Sequence, residues 1–469
     1  MPSAFLRRAA PLAAVAALLF FYLFQLNGVG VLSADEPRYA AIGRAMADSG
    51  DWITPRLWGK PWFEKSALLY WMVAAGTKLG IPGEAAARAP VAIASVAFLI
   101  WLWRWVRRTF GQTEAWCTCL VLSTSAGWIA YSYAALTDLP MTVALMAAFL
   151  LVTPPEQSRH SAWWAGAWLG VAVLAKGLVP IVLFLPAMWF ARRHWLAILV
   201  GCTLVAAPWY LACYSANGQV FLTEFIWKHH ILRFFSDSLQ HVQPFWYYVP
   251  VLLAGFFPWT PVLLTIRRNL LEDERLRTIA IFVAFGLVFF SISRNKLPGY
   301  VLPLMPGIAI LAGVAIARAK RVSLALASSG ALLLLLPVIG STLPEALRSG
   351  LSRSRPDWLA AVGAPLLVVL VVVLSTWRLA YLGRLILSTA LVAVSVAAGV
   401  SKLKVEILPV LDERVSVRGE FRKLGRPATQ VCAGDLHRAR LYGFEYYFNA
   451  AIPECEDDPR SVVLSDERR

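Results

Sequence analysis

Apolar runs about as long as a bilayer is thick recur along this chain from near its first residue to about residue 400. That recurrence leaves few folds open. Inside hydrocarbon a backbone has to satisfy its own hydrogen bonds, so such runs are read as helices that cross the membrane. The candidate spans are 9–32, 84–106, 114–133, 138–153, 161–175, 177–191, 195–214, 245–266, 278–293, 298–317, 322–343, 357–376 and 379–400, about thirteen at roughly 20 apolar residues per crossing. Composition agrees. Of 469 residues, 58% are hydrophobic and 15% charged, with mean hydropathy +0.61, whereas a soluble domain carries about a quarter charged residues. The run from Ala9 to Leu32 follows Arg7 and Arg8 but is too long for the apolar part of a signal peptide, so it reads as a first anchor.

The charge distribution orients the spans. The net charge of +16 comes from short basic clusters between apolar runs, not from one basic face, which argues for positive-inside topology and against a nucleic-acid partner. With a cytoplasmic N-terminus, the cytoplasmic loops carry Arg7/Arg8, Arg104/Arg107/Arg108, Arg159, Arg192/Arg193, Arg267/Arg268/Arg275/Arg277, Arg318/Lys320/Arg321 and Arg378/Arg384. One outer loop, 344–356, departs from the rule with Arg348, Arg353 and Arg355. An odd span count places the C-terminus outside. Residues 1–400 then form one transmembrane unit, with a first outer loop at 33–83 and a second large one at 215–244, followed by a small extracytoplasmic domain at 401–469 that mixes Val/Leu stretches with Gly, Pro and charges, as an α/β element does. The polar residues at the outer side are concentrated: Asp35, Glu36, Arg38, Glu64, Lys65, Asp138, Lys176, His229, His230, Arg233, Lys296 and Tyr300. Ionisable groups at membrane depth mark a functional site.

The first outer loop is patterned. Tyr39, Ile42, Ala45 and Met46 have helical spacing within 38–48, and Gly50 ends the run. Ala67 to Thr77 is apolar but only about eleven residues long, too short to span, so it predicts an interfacial or re-entrant helix. Two such helices would roof a cavity between the spans. Trp246, Tyr247, Tyr248 and Trp259 read as an interfacial aromatic belt.

Six motifs in order resemble those of one family. Asp35-Glu36-Pro37-Arg38-Tyr39-Ala40 is similar to the DE-x-RYA signature of GT-C glycosyltransferases in the protein-mannosyltransferase superfamily, and within it of the bacterial aminoarabinose transferases that modify lipid A. GDWITPRLWGKPWFEKSALLYW at 50–71, LTDLPMT at 136–142, KHHILRFF at 228–235, HVQPFWYYVPVLLAGFFPWTP at 241–261 and KLPGYVLPLMPGIAIL at 296–311 resemble the family's further motifs. The resemblance covers about 8–320. It departs at Ser66-Ala67, where the family has Pro-Pro, at His229, where it has an acid, and in a shorter C-terminal part.

The resemblance implies a polytopic all-α GT-C fold and a sugar donor linked to polyprenyl phosphate. Cations must then hold an anionic phosphate as it leaves, and a carboxylate must orient or deprotonate the acceptor hydroxyl. Asp35 and Asp138 are the candidate catalytic carboxylates; Asp138 could equally cap its helix together with Thr137. Lys65, Arg233 and Tyr300, with Arg38 and Lys296 behind them, are candidates for the donor phosphate. The resemblance also implies a divalent metal, zinc, on Glu64 and His230, completed by water, substrate or a third residue, and no nucleotide cofactor. The implied partners are the lipid-linked donor, a lipid A or other glycolipid acceptor, and the bilayer of the bacterial inner membrane. The same chemistry on a protein or polysaccharide acceptor is the alternative. A transporter or flippase of lipid-linked sugars is the alternative of another class; transporters show repeats and midplane charges, whereas here the charges gather at one face.

Cys117, Cys119, Cys202 and Cys213 lie in apolar spans and read as packing residues. Cys432 and Cys455 are the only pair in the tail, which the topology places in an oxidising compartment, so they are expected to form a disulfide.

Overall fold

The computed structural model describes residues 4–154, 158–232, 242–319, 321–350 and 352–466, with side chains from Pro11 onward except those of 229–232. Each of the thirteen apolar runs has a helical counterpart. Among the described residues, seven helices are long and apolar enough to cross a membrane, including Ala85–Thr109, Glu274–Ile292, Pro298–Arg318 and Leu385–Arg414. The other runs are shorter or interrupted. Pro180 and Pro186 divide 177–191 into Val179–Leu183 and Leu185–Phe190, since proline cannot continue the hydrogen-bond ladder of the turn before it. Asp138–Leu151 is unbroken but has only 14 residues, roughly 21 Å at 1.5 Å per residue. It is buried on nearly every face, so protein and not lipid surrounds it.

Tight packing depends on small residues in places. Helices Arg159–Lys176 and Trp195–Leu222 meet through Gly166 and Gly201. A Cβ on Gly166 would lie 2.1 Å from the Ile198 carbonyl oxygen, and one on Gly201 2.3 Å from that of Trp163. Small residues that let two backbones approach are a common way for membrane helices to associate without a hydrophobic drive.

The first loop holds both expected helices, at Asp35–Ser49 and Leu68–Lys78. Asp35 and Glu36 in the first turn suit the positive end of the helix dipole, and Tyr39, Ile42 and Met46 are buried in one core with Tyr70 and Val73, the Tyr39 and Tyr70 rings 6.0 Å apart. Between the helices, Arg56–Leu57 pairs antiparallel with Lys60–Pro61. Neither helix lies bare on a surface, because the C-terminal domain covers the first of them.

A buried ion pair ties these elements together. Arg88, on helix Ala85–Thr109, donates to both oxygens of Glu36 at 2.8 Å. It also donates to the carbonyls of Leu26, Val29 and Gly30. Glu36 in turn accepts from the N–H groups of Leu32 and Ala135. Burial alone would raise the Glu36 carboxyl, but the charge and hydrogen bonds of Arg88 and the two backbone donors hold it below its ordinary value.

Three expectations are corrected. The boundary at 401 falls inside helix Leu385–Arg414, because Lys402, Lys404 and Glu406 continue the helix as readily as apolar residues do; the polar domain starts after Arg414. The loop 215–244 begins as helix: Trp195–Leu222 runs through it with a bend at Gly218 (φ 60°), and Thr223–Leu232 follows as a wider turn. Tyr248 and Trp259 belong to the core and not to an interfacial belt, Trp259 donating to the Thr124 hydroxyl at 3.0 Å, while Trp246 is exposed.

The C-terminal domain pairs strands Val431–Ala433 and Val462–Leu464 in parallel and packs helices Arg418–Leu424 and Arg438–Phe448 around Val417, Val431, Phe444, Ile452 and Leu464. Cys432 and Cys455 are joined by a disulfide.

Two outcomes are expected. Replacing either Glu36 by Gln or Arg88 by Met leaves a buried partner uncompensated and should cost about 3–5 kcal/mol, read as a lowered melting temperature in detergent. The contribution of the Glu36 carboxylate is present above its unfolded-state pKa and is lost as pH falls through its lower folded value, so the acid side of a melting-versus-pH profile should flatten in Glu36→Gln. Separately, reduction of Cys432–Cys455 should slow the denatured chain on a gel and destabilise the C-terminal domain by about 3 kcal/mol, from the loop it closes.

Candidate active site

Helix ends converge on one cavity of about 330 Å³. Asp35 begins helix Asp35–Ser49, Asp138 begins helix Asp138–Leu151 and Lys176 ends helix Arg159–Lys176. All three line the cavity with Glu64, Lys65 and Tyr300. Its remaining wall is largely apolar, with Leu136, Met141, Val179, Phe225, Phe289 and Phe290. Three carboxylates, two lysines and the phenols of Tyr39, Tyr131 and Tyr300 therefore share a chamber with this apolar lining.

The charges are organised in two clusters. In the first, Arg38 is almost wholly buried. Its Nη1 donates to Glu64 Oε2 at 2.5 Å, its Nη2 to Asp35 Oδ1 and its Nε to the Ala34 carbonyl at 2.8 Å. Burial disfavours the guanidinium charge, but Glu64, Tyr39 and Asp35 raise its pKa above the ordinary value, so Arg38 stays protonated. Lys65 Nζ lies 3.3 Å from Glu64 Oε1. Burial and the Glu64 carboxylate push the Tyr39 and Tyr70 phenols well above their ordinary range, and both stand neutral beside the cluster.

In the second cluster, Lys176 Nζ donates to Asp138 Oδ1 at 2.5 Å and sits 5.0 Å from the centre of the Tyr300 ring. No side-chain cap closes the helix that Asp138 begins; its carboxylate turns to Lys176 instead. Gly299 makes room for this arrangement, since a Cβ there would lie 2.5 Å from the Tyr131 hydroxyl and 2.8 Å from Asp138 Oδ1.

The expected site residues thus separate by position. Asp35, Glu64, Lys65, Asp138 and Tyr300 line one cavity, although up to 264 residues of chain lie between them. Arg38 stands behind Asp35 and Glu64, its donors turned to them. Lys296 is buried and donates to the carbonyls of Ser293 and, at 3.0 Å, Gln243, which secures the turn that presents Tyr300. Arg233 lies outside the described residues, as does the side chain of His230. Both Glu64 oxygens face cations, and among the described residues no three His, Cys, Asp or Glu side chains stand together as a metal site. Lys176 has a larger part than the sequence indicated. Its place at the end of an expected span was visible there, but its pairing with Asp138 was not, because the pair joins two different helices.

Residues 64–219 match the family described as dolichyl-phosphate-mannose-protein mannosyltransferase. The chain is 30% identical over 335 residues to the undecaprenyl phosphate-alpha-4-amino-4-deoxy-L-arabinose arabinosyl transferase of Pseudomonas aeruginosa strain UCBPP-PA14, an alignment that covers 66% of this chain and 61% of that protein. It is 31% identical over 323 residues to the Shewanella sediminis protein of the same name, covering 64% of this chain and 58% of the relative. The chain thus spans less than two thirds of the length of these relatives. Its fold matches the crystal structure of ArnT from Cupriavidus metallidurans bound to undecaprenyl phosphate, with a TM-score of 0.77 at 24% identity over 97% of this chain and 90% of that one. By sequence across 64–219 this multi-pass membrane protein is similar to the dolichyl-phosphate-mannose-protein mannosyltransferase family, and across nearly its whole length it has the fold of the solved ArnT.

Proposed function

We propose that the chain is an inverting glycosyltransferase that moves a sugar from a polyprenyl-phosphate donor to lipid A or another envelope glycolipid. The reaction takes place at the outer face of the bacterial inner membrane, with the N-terminus cytoplasmic and the C-terminal domain outside. The observation that supports this most is the composition of the cavity: carboxylates paired with lysines together with aromatic and aliphatic lining residues. A polyprenyl phosphate has matching parts. Its anionic head suits Lys65 and Lys176, and its tail suits Phe225, Phe289 and Phe290. The relatives' name carries an undecaprenyl phosphate-linked sugar, and the solved relative holds undecaprenyl phosphate.

The chemistry follows from this arrangement. The acceptor oxygen attacks the anomeric carbon from the side opposite the phosphate, the bond from that carbon to the phosphate oxygen breaks, and its electron pair leaves with the phosphate. Single displacement inverts the centre. Lys65 and Lys176 stabilise the charge that builds on the departing phosphate. Asp35, which lines the cavity and is partly exposed, takes the acceptor proton. Asp138 holds Lys176 in place against Tyr300. Glu64 with His230 is the proposed seat of a divalent metal; none of these steps is routed through it, since the neighbours described around Glu64 are cations.

In proteoliposomes with a polyprenyl-phosphate-linked aminopentose and lipid A, Asp35→Asn should lower transfer by about 10²- to 10⁴-fold, the usual range for a lost general base. No transfer by the unsubstituted protein, with any envelope acceptor, would sink the proposal; transfer only to protein or polysaccharide would move the acceptor class. Gly299→Ala should fold yet lose about 10²-fold in kcat, because its Cβ displaces Asp138 and Tyr131 by a fraction of an ångström or more.

A further inference from the structure

The C-terminal domain does more than cover the first loop. Helix Arg438–Phe448 turns one face to that loop, and three side chains on it, at positions i, i+3 and i+4, each hold a different residue there. Tyr446 receives Arg44: the guanidinium donates to its carbonyl at 2.7 Å and lies 4.5 Å from its ring centre. Glu445 accepts from the Trp58 indole at 3.1 Å. Tyr442 places its ring 4.9 Å from the Arg38 guanidinium carbon. Trp62 and Tyr39, at 5.7 and 5.9 Å, supply the other aromatic faces around Arg38. Arg44, Trp58 and Arg38 all belong to the first loop, and Arg38 touches the cavity-lining groups Asp35 and Glu64.

We infer that Tyr442 is a positioning residue of the active site: its ring fixes the Arg38 guanidinium, and Arg38 in turn fixes the Asp35 and Glu64 carboxylates at the cavity. The physical basis is geometric. A guanidinium in a ring-walled slot keeps its plane and so keeps both of its carboxylate bonds aimed. Three donors of Arg38 are already committed to Ala34, Asp35 and Glu64, so a tilt of the plane breaks at least one of them. The C-terminal domain is joined to the same region by Tyr447, which donates to Glu84 at 2.6 Å, and by Arg418, which pairs with Glu84 at 3.0 Å. These contacts anchor the domain independently of Tyr442, so a change at 442 need not release it.

The inference rests on the proposed glycosyl transfer for its kinetic consequence, but its structural consequence can be read without substrate. Tyr442→Phe, Tyr442→Ala and Tyr442→Leu are compared in the full-length protein; Leu retains apolar bulk without a ring face and serves if Ala does not fold. The first readout is carbodiimide labelling of Asp35, followed by peptide mass spectrometry. Labelling should be about two- to fivefold faster in the Ala and Leu variants, the change that losing one partly exposed ion pair allows, and unchanged in Phe. The second readout is transfer in proteoliposomes with the donor and lipid A named above. Ala and Leu should lose about tenfold or more in kcat with little change in KM for the donor, and Phe should behave as the unsubstituted protein. Labelling and transfer both unchanged in Ala and Leu would overturn the inference. So would lost transfer with unchanged labelling, since the loss would then not pass through Arg38. If the unsubstituted protein transfers nothing, the proposed function fails, while the labelling still decides the role of Tyr442.

Discussion

The Glu36–Arg88 pair is the interaction on which the rest of the structure depends. A charge buried this deeply in a membrane protein is tolerable only when every donor and acceptor is used. Here all three guanidinium nitrogens and both carboxylate oxygens are engaged. Their partners come from the turn after the first helix, the start of helix Asp35–Ser49, helix Ala85–Thr109 and the stretch leading to Asp138. The pair thereby sets Asp35, its direct neighbour in sequence, against the segment that ends in Asp138. Asp35 and Asp138, two of the three carboxylates of the cavity, are held in mutual register by a salt bridge that lines no part of the cavity itself.

From that centre the site extends by opposite charges in sequence. Arg38 gathers Asp35 and Glu64, Glu64 gathers Lys65, and separately Asp138 gathers Lys176. Each cation is thus already partnered before any substrate enters. Such an arrangement keeps the cost of burying charge low in the empty site and leaves the lysines able to exchange a carboxylate for a phosphate. The exchange is local, because carboxylate and phosphate offer similar acceptor geometry to a single ammonium.

Much of the site was legible from the amino-acid order, and particular residues show where legibility ended. Asp35, Lys65, Asp138 and Tyr300 were marked because they lie in motifs that resemble one family's and because ionisable residues gather at one end of the expected spans. Glu36 and Lys176 carried the same kind of signal, yet their importance lies in Arg88 and Asp138, tens of residues away, and no periodicity links positions on different helices. Gly299 gave no signal as a site residue, since its role is the space it leaves for Asp138. Tyr442 lay in a part of the chain with no motif at all.

The chain by itself determined that it must cross a membrane many times, that its first loop contains two helices, and that ionisable groups gather at one end of the spans. These follow from local quantities: hydropathy over about twenty residues, the 3.6-residue period and the sign of loop charge. Only the tertiary structure decided which helices remain whole, that the last long helix continues to Arg414, which charges pair, and that the C-terminal domain reaches Arg38. Those outcomes depend on the distance and angle between segments remote in sequence, where steps of an ångström decide whether a carboxylate meets its cation. Composition and spacing carry no information on that scale.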